Sequence, residues 1–194
     1  MEFINTMEGY KNWRKTVESE VMWYQRNHIR NVWKVGDKVI FDHNGHAINH
    51  CGYKLLQAAL EQIDFDTISP REVVEITVWF DQPVGYQECV KTSESDCIIY
   101  QQRAARANVS RFVLNRQPEP CQSVFLVLGR VRDTNRYVFR TAFVGDKSAR
   151  EPWDRNATSS DVEFWREHAL VTHDAISVDD DLGDAGYWTP TLPL

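Results

Sequence analysis

Two runs of β-branched and aromatic residues, Val124–Arg132 and Arg136–Val144, are separated only by Asp133-Thr134-Asn135. Asp and Asn in so short a connection tolerate left-handed backbone and hydrogen-bond their own chain, so the pair predicts a tight antiparallel hairpin. A lone two-stranded hairpin is marginal in water and must bury one face against something else. Further strands are predicted upstream. Val73, Val74, Ile76, Val78, Trp79 and Phe80 end at Asp81-Gln82-Pro83, and Ser110–Asn115 has the same character. Cys97-Ile98-Ile99-Tyr100 fits either a strand or the start of a short helix through Ala104-Ala105, and Lys38–Phe41 fits a strand or a connector.

Helical periodicity supplies the cover. Trp13, Val17, Val21 and Tyr24 form one stripe of a helix over residues 8–32, ahead of Gly36-Asp37. From His46 to about Ile63, the residues Ile48, Cys51, Leu55, Ala58 and Ala59 form a second stripe. Ser160 with Glu163 three residues on reads as the capping box of a late helix ending near Val171. The last twenty or so residues, with Asp179-Asp180-Asp181, two Gly and two Pro, read as an extended acidic tail. The expected class is α+β: an antiparallel sheet of four to five strands, backed on one face by N-terminal helices, with a C-terminal helix and tail. Its parts are a helical portion 1–70, a strand meander 71–145, and a loop, helix and tail 146–194, in one domain. The second sheet face is left for solvent, substrate or a partner.

The chain has 194 residues, 42% of them hydrophobic, which is enough for a core without disulfides or metal. No apolar run approaches the ~20 residues that span a bilayer, and the N-terminal stretch is charged throughout, so the expected location is the cytoplasm, with no membrane partner. Cys51, Cys89, Cys97 and Cys121 have no CxxC spacing and read as free thiols.

The formal charge of −6 argues against a polyanion partner only if charge is evenly spread, and it is not. Residues 103–150 carry ten basic groups against three acidic ones, a net +7. Nine of the ten are arginine, among them Arg103, Arg106, Arg111, Arg116 and Arg150. Arginine's planar fork suits bidentate contact with phosphate or carboxylate. Alternatively, the ten acidic residues of the final 44 pair with these arginines internally. Strict alternation along Arg136–Phe143 puts Tyr137, Phe139, Thr141 and Phe143 on the core face and Arg136 and Arg140 on the open one, where Arg130 is expected to join them. Arg111 is a further candidate anion contact.

Histidine is grouped too: His43, His46 and His50 near the start of the second helix, and His168 and His173 at the end of the last. His46 and His50 lie about 40° apart on a helical wheel, away from the apolar stripe. That leaves a proton-transfer role, a bidentate metal grip with Asp42, His43 or His168 as third ligand, or ordinary surface histidines. No HExxH, phosphate loop, GxGxxG, GxSxG or nuclease carboxylate cluster occurs, and neither metal nor cofactor is expected.

Helices carrying histidine, followed by Ser110-Arg111-Phe112-Val113, Leu126-Val127-Leu128-Gly129-Arg130 and Tyr137-Val138-Phe139-Arg140-Thr141-Ala142-Phe143, resemble the metal-independent RNases grouped around barnase, EndoU, the tRNase colicins and RelE. The resemblance spans roughly residues 40–145. It implies RNA cleavage by attack of the ribose 2′-hydroxyl on the adjacent phosphate. In that reading His46 is the general acid or base, Arg130 and Arg140 clamp the phosphate, and Thr141 is the strand hydroxyl; apart from the resemblance, Arg136 is a candidate anion contact and His50 and His168 are second-tier site candidates. The expected function is an endoribonuclease or RNase-like toxin or effector acting on RNA. The alternatives are a non-catalytic protein, such as a bacterial or phage accessory factor, whose arginine face docks an acidic or phosphorylated partner, and a metal-dependent hydrolase using the histidines.

Overall fold

The computed structural model describes residues 3–26, 31–68, 72–103, 108–172 and 178–189. In chain order its elements are α1 (Met7–Arg26), β1 (Val32–Val35), β2 (Lys38–Phe41), α2 (His46–Cys51), α3 (Tyr53–Glu61), β3 (Val73–Trp79), β4 (Gly85–Gln87), β5 (Cys89–Lys91), β6 (Ile98–Gln102), β7 (Val109–Val113), β8 (Glu119–Cys121), β9 (Ser123–Arg130), β10 (Arg136–Val144), α4 (Ser159–Glu167), β11 (His168–Val171) and a 3-10 turn Val178–Asp180. The class is α+β. The chain divides into two compact units, the first made of Met1–Gln87 and Pro120–Lys147 and the second of Glu88–Glu119 and Ser148–Leu194.

The first unit holds the hairpin. Asp133 adopts φ 56°, and the Val131 N–H donates to Arg136 O across 2.9 Å, joining β9 to β10. The sheet order is β1-β2-β10-β9-β3. It is not wholly antiparallel as expected, because β2 runs parallel to β10. Val78, Val124, Leu126, Leu128, Tyr137, Phe139, Ala142 and Val144 are buried on one face, in one cluster with Trp13, Val17 and Val21 of α1 and with Ile48, Leu56 and Leu60 of the middle helices. Leu126 and Leu128 are fully buried, each worth ~1.5–3 kcal/mol of transfer free energy. Trp33 stacks on Tyr53 (4.8 Å) and Tyr53 on Tyr24 (4.0 Å), locking the β1–β2 ribbon to α3 and the end of α1.

The expected second helix is two helices. Gly52 takes φ 78° and ψ 164°, a conformation closed to other residues at low cost, and breaks the helix into α2 and α3. The Glu20 carboxylate then accepts from the Lys54 N–H at 2.6 Å, over the space a Cβ at Gly52 would occupy. The break also shifts the buried stripe of α3 from Leu55 and Ala58 to Leu56, Ala59 and Leu60.

The second unit has a sheet of order β5-β11-β7-β6, with Val90, Val113, Ala169 and Val171 packed on one another. Ile98–Gln102 forms a strand, β6, rather than the start of a helix, and Ala104-Ala105 lie outside the described residues. The cap of α4 is Thr158 with Asp161, not Ser160 with Glu163: the Thr158 side chain accepts from the Asp161 N–H, and the Asp161 carboxylate accepts from the Thr158 N–H. The described part of the C-terminal stretch, residues 178–189, is fastened to the second unit. Tyr187 is fully buried 5.5 Å from Tyr100, and Asp181 Oδ1 accepts from the Tyr100 N–H at 2.9 Å. All four cysteines are free thiols. Among the described residues, no helix is long and apolar enough to cross a membrane.

Candidate functional site

Thr141 does not face the core. Along β10, Phe139 pairs with Leu128 and Thr141 with Val127, so Arg140 is an extra residue opposite none, a β-bulge. The bulge restarts the alternation: Tyr137 and Phe139 are buried before it, Ala142 and Val144 after it. Arg136, Val138, Arg140, Thr141 and Phe143 therefore share the open side. The outward turn of Thr141 has a physical cause in the phase of the strand, and the sequence carries a signal for it. Arg140-Thr141 places two polar residues side by side between two core positions, which an unbroken period of two does not allow.

With Thr141 turned outward, its Oγ1 lies 3.1 Å from His46 Nε2, each able to act as donor depending on the histidine tautomer. His46 opens α2, and the His46 and His50 rings stand 4.5 Å apart at 69°. Burial of Ala47, Ile48 and Cys51 on the other side of this short helix is what presents both histidines to solvent. Asp42 fixes the helix further upstream. Its carboxylate is buried and accepts from the Ile48 N–H at 3.0 Å, so it holds α2 and is not presented beside the histidines as a metal ligand.

Two arginines lie on the same sheet face as Thr141. Arg140 lies along Gly129: a Cβ there would stand 2.8 Å from Arg140 Nε and 3.3 Å from Nη2, so only glycine leaves room for the side chain to lie flat. Arg136 places its guanidinium 4.7 Å from the Phe41 ring centroid, a cation–π contact that narrows its rotamers, and His43 stacks on Phe41 at 5.6 Å. Sequence reasoning missed both supports, Gly129 and Phe41.

The remaining candidates sit elsewhere. Arg130 pairs with Tyr137, whose ring is in the core, so the pleat directs Arg130 to the helix-covered face, where it emerges at the strand end. It does not join Arg136 and Arg140. Arg111 belongs to the second unit and is buried, its Nη1 donating to His168 O at 2.6 Å and to Thr92 Oγ1 at 3.3 Å. That is a structural role rather than an open anion contact. His168 stacks flat on Phe164 at 3.9 Å, with Nδ1 2.8 Å from Phe164 O. His173 and Arg106 lie outside the described residues.

The other arginines of the basic block divide by unit. Arg103 pairs with the buried Glu151 (3.0 Å), and Arg116 with Asp96 (3.3 Å) and Glu119 (2.5 Å), all within the second unit. Arg103, Arg150, Glu151, Trp153 and Trp165 line a cleft of about 260 Å³ there. Burial raises the Cys89 thiol to about 11, with Glu151 adding to the rise, so it stays protonated at neutral pH. Among the described residues, no group of three or more His, Cys, Asp or Glu side chains is placed to hold a metal ion. The chain matches no protein-family model, no curated protein and no solved structure.

Proposed function

We propose that the first unit is a metal-independent endoribonuclease centre on the open sheet face. The contact between His46 Nε2 and Thr141 Oγ1, made by way of the bulge, carries this reading. In the proposed reaction a histidine takes the proton of the ribose 2′-hydroxyl while the oxygen attacks phosphorus. The P–O5′ bond breaks, and a protonated histidine gives its proton to the departing 5′-oxygen, leaving a 2′,3′-cyclic phosphate. His46 and His50, with rings 4.5 Å apart, are the pair proposed for those two transfers. Thr141 orients His46, and Arg140, backed by Arg136, meets the charge that accumulates on the phosphorane oxygens. Arg130 has no part in this scheme.

The test is cleavage of single-stranded RNA in excess EDTA, with cyclic phosphate ends as the product. His46→Ala and Arg140→Ala remove activity while the far-UV spectrum is kept, and Arg130→Ala leaves it near wild type. A wild-type protein inert on RNA overturns the proposal. The cation–π clamp on Arg136 favours one second reading, a phosphate-docking face without catalysis. Salt-sensitive RNA or phosphopeptide binding by the wild type, lost in an Arg136→Glu/Arg140→Glu double variant and unaffected by His46→Ala, would select it.

A further inference from the structure

We propose that the free edge of β3 is a homodimer interface through which two copies join their first-unit sheets, β3 to β3 and antiparallel. The inference is independent of the proposed nuclease activity.

β3 is the terminal strand of its sheet, seven residues long. Its bonds to β9 consume one set of backbone groups, as the Arg130 N–H to Glu72 O contact at 2.8 Å and the Phe80 N–H to Gln122 O contact at 2.8 Å define. The N–H and C=O groups of Val73, Glu75, Thr77 and Trp79 therefore point away from β9. The same four residues are exposed, Val73 at 48% and Trp79 at 60%. Sheet edges are commonly blunted by lysine, proline, a bulge or shortness. The opposite edge follows that rule: β1 is four residues long and carries Lys34. β3 has none of these devices, and its one charge, Glu75, is already matched by Lys147 at 2.7 Å.

The strand is complementary to a second copy of itself. The strand reads VVEITVW, and a two-fold axis through Ile76 sets Val73 against Trp79 of the second copy, Val74 against Val78 and Glu75 against Thr77. This symmetric register uses every residue of the strand. It makes hydrogen-bonded pairs of just those residues whose backbone groups point outward, and it covers both exposed apolar side chains with each other. An axis through Glu75 would face two carboxylates directly, and an axis through Thr77 would leave Val73 without a partner.

The register makes opposite predictions for two substitutions at one exposed position. Thr77→Glu places a carboxylate opposite Glu75 twice per dimer, and Thr77→Lys places an ammonium there twice. Sedimentation equilibrium of the full chain is expected to show a wild-type monomer–dimer equilibrium, with dissociation constant raised about tenfold or more by Thr77→Glu and lowered by Thr77→Lys. Trp79→Ser is expected to weaken it as well, and circular dichroism confirms that each variant is folded. A wild type that stays monomeric at every concentration, or a dimer in which the two Thr77 variants shift in the same direction or not at all, overturns the proposal. RNA cleavage assayed on the same samples reports separately on the catalytic reading.

Discussion

Deleting Arg140 is expected to leave the first unit folded, whereas deleting Val138 two residues earlier is expected to break it. The difference follows from the ladder. Arg140 is the residue without a partner between the Phe139–Leu128 and Thr141–Val127 pairs, so its removal closes the bulge and keeps Tyr137, Phe139, Ala142 and Val144 in the core. The loss is one exposed side chain and its contact with Gly129, and the expected change is within ~1 kcal/mol. Removing Val138 has no such outlet. Either Arg136 takes the core position of Tyr137, whose ring packs 5.1 Å from Phe65, or Phe139 is turned out and Arg140 turned in. Loss of one large buried aromatic costs ~3–5 kcal/mol, before any charge is buried. Urea titrations followed by far-UV circular dichroism measure both, with the midpoint of the Val138 deletion falling by more than a molar if the slope is ~1–3 kcal/mol/M. Comparable losses in the two deletions would show that Arg140 is an ordinary ladder residue, and the outward placement of Thr141 would fall with it.

Gly129→Ala is expected to displace the Arg140 side chain, 2.8 Å from where the new Cβ would stand, while changing stability by less than ~1 kcal/mol; the check is a drop in RNA affinity or turnover with an unchanged urea midpoint. Thr158→Ala removes the α4 capping box at a cost of ~1 kcal/mol, read by urea titration or by faster amide exchange in the first turn of α4. Hydrogen bonds from the Thr158 side chain and backbone lower the Asp161 pKa, so its contribution is complete above the unfolded-state carboxylate value and fades as pH falls through the folded one; wild type and Asp161→Asn should therefore differ at neutral pH and converge in acid. Alkylation followed by mass spectrometry should modify the exposed Cys97 first. Cys51 should react last, because it is buried and desolvation pushes its thiol up.

The elements readable in the sequence were those whose residues settle their own conformation. The β9–β10 hairpin has a turn whose Asp133 tolerates φ 56°, and α1 carries its buried residues at regular helical spacing. The strands that escaped, β1, β4, β5, β8 and β11, are three or four residues long, too short for a period of two to emerge from background. The break at Gly52 was missed because Gly within an apolar stripe is tolerated at modest cost; what decides it here is a long-range partner, Glu20, capping α3. The two-unit division is equally non-local. The second unit collects 88–119 and 148–194 from either side of the β9–β10 hairpin, and no linker composition marks where the chain leaves one unit for the other.

The basic block shows the limit of counting charge along a chain that interleaves two units. Its net +7 suggests one surface, yet five of its arginines fall into two structural populations. Arg103, Arg111 and Arg116 are turned to acids and carbonyls of the second unit. Among the described residues Arg136 and Arg140 make no ion pair: one rests on an aromatic ring, the other along a glycine backbone. A surface arginine used only for solubility needs no such restraint, because long exposed side chains gain entropy by remaining mobile. Restraint without neutralisation is what a phosphate contact requires, since a pre-set fork loses less freedom when the anion arrives. Arg136 and Arg140 are therefore the strongest anion-contact candidates of the block, on the sheet face where the bulge brings Thr141 Oγ1 within reach of His46.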